Sequence, residues 1–480
     1  FFSMQSPYHF SPLDEIMPPL YMTLILCFPC PATEKETTFS VLQEGLSRMV
    51  LENPFLAGEI VRQQSDDPKG GLRPGHLGLK IPEPLENTKL VLNDMTLPTD
   101  EWKDSYEELR AAGMPLSKLD GKRLAPVAYG VASVRNKVFE AQVNFIPGGC
   151  LLCVSTSHAF VDAWGFVVIM DTWAQHCREL QDPSLAPIAK TLKYIGRPPA
   201  LVKAVPQAEY DKLKNRPELW RLLGLDWRKT GRQAVAPFHN PPAVHTCLFT
   251  ISPAALADIK REATPESSNT SGEGPSWVST KDALVAYLWR RIMKARAPSW
   301  IGSQHKEDSM VSVAIDGRRA LSPPIPLSYI GNVVFCCLTE LPIDFLIAPD
   351  TSLASIALKI RKSIESQRDT ELLSDAVNLA SCIPDVRSLG NAFTSWFMED
   401  LVTTSVVDLP IYDLEFGKIF GNTGKPEFFR MPKGQFDGIC MIQPRQTNGM
   451  VDVIISMEEE QMQRLRDDKE FTKYLKFISK

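Results

Sequence analysis

The chain has 480 residues, of which 44% are apolar and 23% charged, and a formal net charge of −5 at pH 7. That length exceeds one ordinary domain and fits two or three, with material for large apolar cores. The acidic balance, without a run of Lys or Arg, excludes a basic field that would hold nucleic acid by its phosphates.

The first apolar stretch runs from Ile16 to Cys30. Asp14 and Glu15 precede it where a secretory signal carries positive charge, and Pro18 and Pro19 interrupt it. It therefore reads neither as a signal peptide nor as a membrane span. Ten cysteines at irregular spacing suit a reducing cytoplasm rather than a disulfide scaffold. Cys27/Cys30 and Cys150/Cys153 form two C-x-x-C pairs, but both lie in apolar runs that read as buried strands. Strand residues three apart point to opposite faces, so these read as buried thiols and no metal is expected.

Residues 40–52 place Leu42, Leu46, Met49 and Val50 at helical spacing, and Asn53-Pro54 ends that helix. Leu56 to Val61 reads as a strand, and residues 63–79, rich in Gly and charge, as a loop or hairpin. Leu151 to Thr156 reads as a buried strand, followed by a helix from about Asp162 to Leu180. Residues 181–240 carry many Pro and basic residues with little period and read as a linker between halves. Residues 264–276 read as a mobile loop, and Ser279-Thr280-Lys281-Asp282 opens a helix to about Lys294. Val311 to Ile315 and Val333 to Leu338 read as strands; 351–366 and 458–476 read as helices. Strands and helices alternate in both halves, which predicts an α/β or α+β protein without short repeats.

His158, between a buried strand and a helix, is the histidine most suited to chemistry. Neutral imidazole takes a proton near physiological pH and returns it, so His-x-x-x-Asp fits a general base with Asp162 behind it. A core histidine satisfied by backbone fits the same spacing. Other catalytic patterns fail: there is no G-x-S-x-G, H-E-x-x-H or G-x-G-x-x-G. Gly421-Asn422-Thr423-Gly424-Lys425 approaches a phosphate loop, but Ile419 and Pro426 break that pattern.

Five blocks in order decide between these readings. They are Ser11-Pro12-Leu13-Asp14 with Asn53-Pro54-Phe55-Leu56-Ala57-Gly58; His158 to Asp162; Ser279 to Leu284; Asp316-Gly317-Arg318-Arg319 with Tyr329-Ile330-Gly331-Asn332; and Leu409 to Gly417. With them the chain resembles the BAHD acyl-CoA-dependent acyltransferases, in the fungal branch that includes trichothecene acetyltransferases. Ala163 replaces the Gly of the family's HxxxDG, and its DFGWG reads Glu415-Phe416-Gly417-Lys418-Ile419. Where plant relatives have Thr-Ser-Trp, this chain has Thr404-Ser405-Val406.

The resemblance implies two chloramphenicol-acetyltransferase-like domains, each a mixed β-sheet with flanking helices, with a channel between them. Residues 1–200 would form the first, 201–240 a crossover linker and 241–480 the second. It implies acyl transfer, most simply acetyl from acetyl-CoA, to a hydroxyl of a fungal secondary metabolite. His158 would be the base in a direct attack on the thioester. Thr404 would hydrogen-bond the oxyanion. Asp162 would turn away to pair with Arg318, and Glu415 would be a structural anchor. Ser279, Thr280, Lys281, Asp282 and Ser405 would lie against CoA, although Ser279 to Asp282 also read as a plain helix cap. The expected partners are acyl-CoA and a small-molecule acceptor, in a cytoplasmic monomer without nucleic acid or membrane. A condensation-type catalyst using a carrier thioester is the alternative, but it usually has a second His where Ser157 stands. A small-molecule-binding member without catalysis is the other.

Overall fold

A computed structural model of the chain describes residues 10–18, 20–62, 75–85, 89–127, 137–185, 192, 198–201, 205–230, 244–265, 277–300, 305–387, 389–392, 399–421, 424–432 and 439–480. Two mixed sheets organise them. The first has five strands in the order Phe428–Arg430, Tyr21–Pro29, Gly149–Ser157, Phe139–Ile146 and Val91–Asp94. The second has seven, in the order Val334–Pro342, Asp308–Asp316, Leu401–Ser405, Ile439–Ile442, Val451–Glu458, Val244–Ile251 and Leu475–Ser479.

Gly149–Ser157 is buried at every position. A strand covered on both faces takes a continuous apolar run rather than alternation. It pairs antiparallel with Tyr21–Pro29 from Tyr21↔Ser157 to Pro29↔Gly149. One face of this sheet packs under helices Lys35–Glu52 and Ala163–Gln181. Those helices approach closely at Gly45, where an added Cβ would lie 2.7 Å from Cys177 Sγ. Trp173, fully buried between them, donates its indole N–H to the Leu42 carbonyl at 3.0 Å. The other face is covered by residues 95–125, including Met114 and Leu119.

The seven-stranded sheet splits its side chains by alternation. Cys440, Ile455 and Phe249 pack beneath helices Thr280–Arg296 and Leu353–Gln367. Met441, Ile454 and Leu248, on the opposite face, join the core of the first sheet. The two sheets therefore share an apolar seam, and any site between them is walled by that face. The chain crosses the seam again near its end, where Phe428–Arg430 pairs with Tyr21–Pro29.

Several elements differ from the sequence reading. The strand expected at Leu56 begins only at Glu59, because Pro54–Ala57 form a 3-10 turn; Glu59–Arg62 then pairs with Leu77–Lys80. Within the segment read as linker, Gln207–Leu213 and Pro217–Leu222 are helices and Leu225–Thr230 is a strand. Leu219, Trp220 and Leu222 bury against helix Thr370–Cys382, so tertiary packing supplies the order that local period does not. The helix expected over 458–476 breaks at Asp468, which caps a second helix Lys469–Tyr474 before the edge strand Leu475–Ser479. The loop expected at 264–276 lies largely outside the described residues. Cys27 and Cys153 pack on one face of the first sheet and Cys30 and Cys150 on the other. Among the described residues no helix is long and apolar enough to cross a membrane.

Candidate active site

Strand Gly149–Ser157 stops one residue before His158, and helix Ala163–Gln181 starts five residues after it. The turn is fixed by backbone: His158 N donates to the Leu20 carbonyl at 2.8 Å, and Phe160 N and Val161 N donate to Ser157. Ala159, Phe160 and Val161 are buried, whereas His158 keeps part of its surface open. Burial holds the His158 imidazole below its ordinary value of 6.5; its own carbonyl, Asp162 and Asn332 act the other way but do not cancel it. His158 is therefore neutral at pH 7, the form that accepts a proton. Its Nδ1 is buried and lacks a full hydrogen bond.

Asp162 does not stand behind the imidazole as a triad acid. Its carboxylate caps the helix by accepting from Gly165 N at 2.9 Å. It also accepts two parallel bonds from Arg318, at 2.8 and 2.9 Å, and one from Val333 N at 3.1 Å. Arg318, 1% exposed, donates further to the Tyr329 and Gly331 carbonyls at 3.1 and 3.0 Å. A bidentate Arg–carboxylate pair fixes direction as well as charge. Here it ties the first half's helix to the loop before Val334–Pro342. Gly165 completes the fit, because a Cβ there would sit 2.1 Å from the Ile330 carbonyl.

A second carboxylate reaches His158 from further away. Asp14, fully buried in the short helix Pro12–Ile16, accepts from both the backbone N and the Nδ2 of Asn332, at 2.8 and 2.9 Å. The same Nδ2 donates to the His158 carbonyl at 2.9 Å. Burial pushes the Asp14 carboxyl up to about 6 despite its bonds from Asn332 and Ser11. Asp14 and Asn332 each fall inside a sequence block, but 318 residues separate them and no local pattern joins them. The available signal was limited to Ser11-Pro12-Leu13-Asp14, which reads as a capping box, and it is one.

The remaining expected residues fall on the second sheet and its helices. Thr404 pairs with Met441 across parallel strands, so its side chain lies on the face turned to the seam. Ser405 points to the opposite face, and its Oγ is buried without a hydrogen-bond partner. Ser279 and Asp282 form a reciprocal capping box for Thr280–Arg296. Asp282, 1% exposed, also takes two bonds from Arg361. Thr280 is exposed, whereas Lys281 is half-buried, its amine 3.5 Å from the Ala314 carbonyl. Burial lowers its pKa, opposed by Asp408 and Asp282.

The Glu415 side chain is exposed; its backbone carbonyl is what Arg178 grips. The anchoring of this segment falls to Phe416, fully buried and edge-on to Phe28 and Trp173 at 5.5 and 6.1 Å. Gln181 clasps the same stretch, donating to the Phe416 carbonyl at 2.7 Å and accepting from Ile419 N at 2.9 Å. Gly417, at φ 88°, is needed there because that backbone strains any other residue. No group of three or more His, Cys, Asp or Glu suited to a metal is found among the described residues.

Comparison with known proteins identifies the family. Residues 122–472 match the transferase family, and residues 20–177 match the trichothecene 3-O-acetyltransferase-like N-terminal domain. The eremophilane O-acetyltransferase ORF8 of Penicillium roqueforti is 39% identical over 98% of this chain and 99% of its own length. Its counterpart prx11 of Penicillium rubens is 38% identical with the same coverage. The crystal structure of Fusarium sporotrichioides TRI101 complexed with coenzyme A and T-2 superposes with a TM-score of 0.75, at 22% identity, over 98% of this chain and 99% of that one. That likeness is one of fold. The chain belongs to the BAHD transferase family and is an acyltransferase of its fungal branch.

Proposed function

We propose that this acyltransferase moves an acetyl group from acetyl-CoA to a hydroxyl of an eremophilane-type secondary metabolite, with His158 as general base. The observation that carries the mechanism is a neutral imidazole, on a half-buried residue, at a strand-to-helix junction on the seam between two sheets. The acceptor class rests on the two relatives above 35% identity whose names carry it. CoA as donor carrier rests on the Fusarium neighbour bound to it.

In this reading His158 Nε2 takes the hydroxyl proton as the oxygen attacks the thioester carbonyl. The tetrahedral oxyanion accepts a bond from Thr404, on the seam face of its strand. Collapse breaks the C–S bond, and the imidazolium returns the proton to the departing thiolate. No acyl-enzyme is required. The buried cysteines suit that view, since burial pushes Cys27 and Cys440 up to about 12, far from a nucleophilic thiolate.

Thr280, Lys281 and Ser405 are the proposed CoA contacts, with Ser279 and Asp282 shaping the turn that presents them. Residues 1–200 and 241–480, joined through 201–240, are read as two halves with the substrate channel between them. A cytoplasmic monomer completes the reading.

The test follows CoA release from acetyl-CoA with hydroxylated eremophilanes and, beside them, hydroxylated alkaloids and polyketides. Turnover with the eremophilanes is expected. Tight acceptor binding without thioester consumption would instead mark a binding protein built on this fold.

A further inference from the structure

The seven-stranded sheet turns one face to its helices and the other to the seam, and the seam face is not closed everywhere. Ala314, Val334, Cys336, Val402, Thr404 and Ile439 are all half-buried. Their chain neighbours Val313, Ile315, Phe335, Cys337, Leu401 and Thr403 are buried. Successive strand residues point to opposite faces, so the half-buried set opens toward the seam. Register lays it across four strands: Cys336 opposes Ala314, Val402 opposes Ile439, and Thr404 opposes Met441. Together these side chains form a floor.

The floor ends beside His158. Asn332, two residues before Val334, donates from Nδ2 to the His158 carbonyl at 2.9 Å. None of the six side chains is charged, and Thr404 supplies the one hydroxyl. The carboxylate at the edge, Asp316, is taken by Arg318 at 3.1 Å. Such a surface offers nothing to the phosphates or amides of CoA, and it suits a carbon skeleton with few oxygens. The proposed CoA contacts lie on the other side. Ser405 points to the opposite face of its strand. Lys281 comes from the helix packed on that face and meets the floor at the Ala314 carbonyl, 3.5 Å away. Strands Asp308–Asp316 and Leu401–Ser405 pair only as far as Val313↔Thr403, so they part just there, beside Thr404.

We infer that this floor holds the carbon skeleton of the acceptor, and that Ala314 and Cys336, small side chains set side by side, decide how broad a skeleton reaches His158. The inference rests on acetyl transfer to an eremophilane-type alcohol and adds where that alcohol lies. Cys336 serves as wall and not as nucleophile, since desolvation pushes its thiol up to about 11 despite the Ser312 hydroxyl.

Two readouts on the full-length protein test this. The first is kinetic, with Cys336→Phe and Ala314→Leu, each checked for folding. Either variant should lower kcat/KM for a bicyclic hydroxylated eremophilane about 10- to 100-fold, the scale on which an apolar pocket discriminates by shape. The loss should be smaller for a monocyclic alcohol, and KM for acetyl-CoA should change little. A folded variant that raises KM for acetyl-CoA and spares the bicyclic alcohol overturns the inference. The second readout needs no turnover. The other nine cysteines are buried, so methyl methanethiosulfonate labelling of the native protein, followed by mass, reports Cys336, with Cys336→Ala as the control that loses the label. The raised thiol makes labelling slow enough to time. The eremophilane alcohol is expected to slow it and CoA is not. Protection by CoA alone, or by neither, overturns the inference. If wild type releases no CoA with any alcohol, the acetyl-transfer reading fails. Protection of Cys336 by the eremophilane would then still uphold the floor as its site.

Discussion

Two regions carry the first half of the chain onto the second, and they do so by opposite means. At the start of helix Ala163–Gln181 the tie is ionic, with Asp162 and Arg318 buried together and bonded further to backbone groups around them. At residues 415–420 the tie is aromatic. Phe420 stacks on Phe28 at 4.0 Å, Phe416 packs edge-on beside it, and the Glu415 side chain faces water. The difference explains why one acid is tied to its context and the other is not. A buried carboxylate needs its partner, since an uncompensated charge in low dielectric is costly. An exposed one can lengthen by a methylene, as Glu415 does relative to the family pattern, without disturbing the phenylalanine that does the packing.

Breaking the ionic tie should have the largest effect. Arg318→Ala leaves Asp162 buried and unpaired and is expected to lose about 4–5 kcal/mol of stability in urea denaturation. Phe416→Ala should follow, at about 3 kcal/mol, because it opens a cavity between Phe28 and Trp173. A loss below 1 kcal/mol for Phe416→Ala would break the comparison at its aromatic side.

pH should separate the regions further, since the Asp14 carboxyl, which is bonded to Asn332 beside the ionic tie, is raised to about 6. Asp14 has its folded pKa raised to about 6 from 3.8, so its contribution to stability is full below 3.8 and is lost as pH rises through 6. Asp14→Asn should remove that dependence, which amounts to at most about 1.4 kcal/mol per pH unit within the window. Denaturation curves of both proteins at pH 5 and pH 7.5 check it; a difference that does not change with pH contradicts it. For catalysis the sign runs the other way. His158, held below 6.5, stays neutral above that value, so kcat should decline only as pH falls below it. A pH–rate profile with its acid limb above 6.5 would disagree. The smallest effect is expected for Glu415→Gln, within about 0.5 kcal/mol of wild type, as for an ordinary surface change. A larger loss there would mean that the carboxylate, and not Phe416, holds the segment.

The contrast also marks what the sequence made legible. His158 was placed at a strand-to-helix junction by the apolar run of 151–156 and the helical period beyond it, both local signals. The pairing of Asp162 with Arg318 came only through resemblance, since 156 residues separate them and no local pattern joins them. Asp14 and Asn332, 318 residues apart, were beyond reach for the same reason. Local spacing reports the cap that Asp14 makes, not the amide it holds. The helices at 207–222 were hidden because short segments broken by Pro206 and Pro217 show little period of their own. Their order comes from burial of Leu219 and Trp220 in the tertiary structure. Asp468 was readable in principle, as a capping residue inside an apparently continuous helix, with Phe471 and Leu475 buried beyond it.

The central claim is that neutral His158 takes the acceptor's proton. Its most direct test is the rate of CoA release by His158→Ala at pH 7.5, under saturating acetyl-CoA and the best eremophilane acceptor. The kcat of this variant should fall by a factor on the order of 10²–10⁴, with the protein folded and KM for acetyl-CoA little changed. A rate within about threefold of wild type, well below what removing a general base costs, would contradict it.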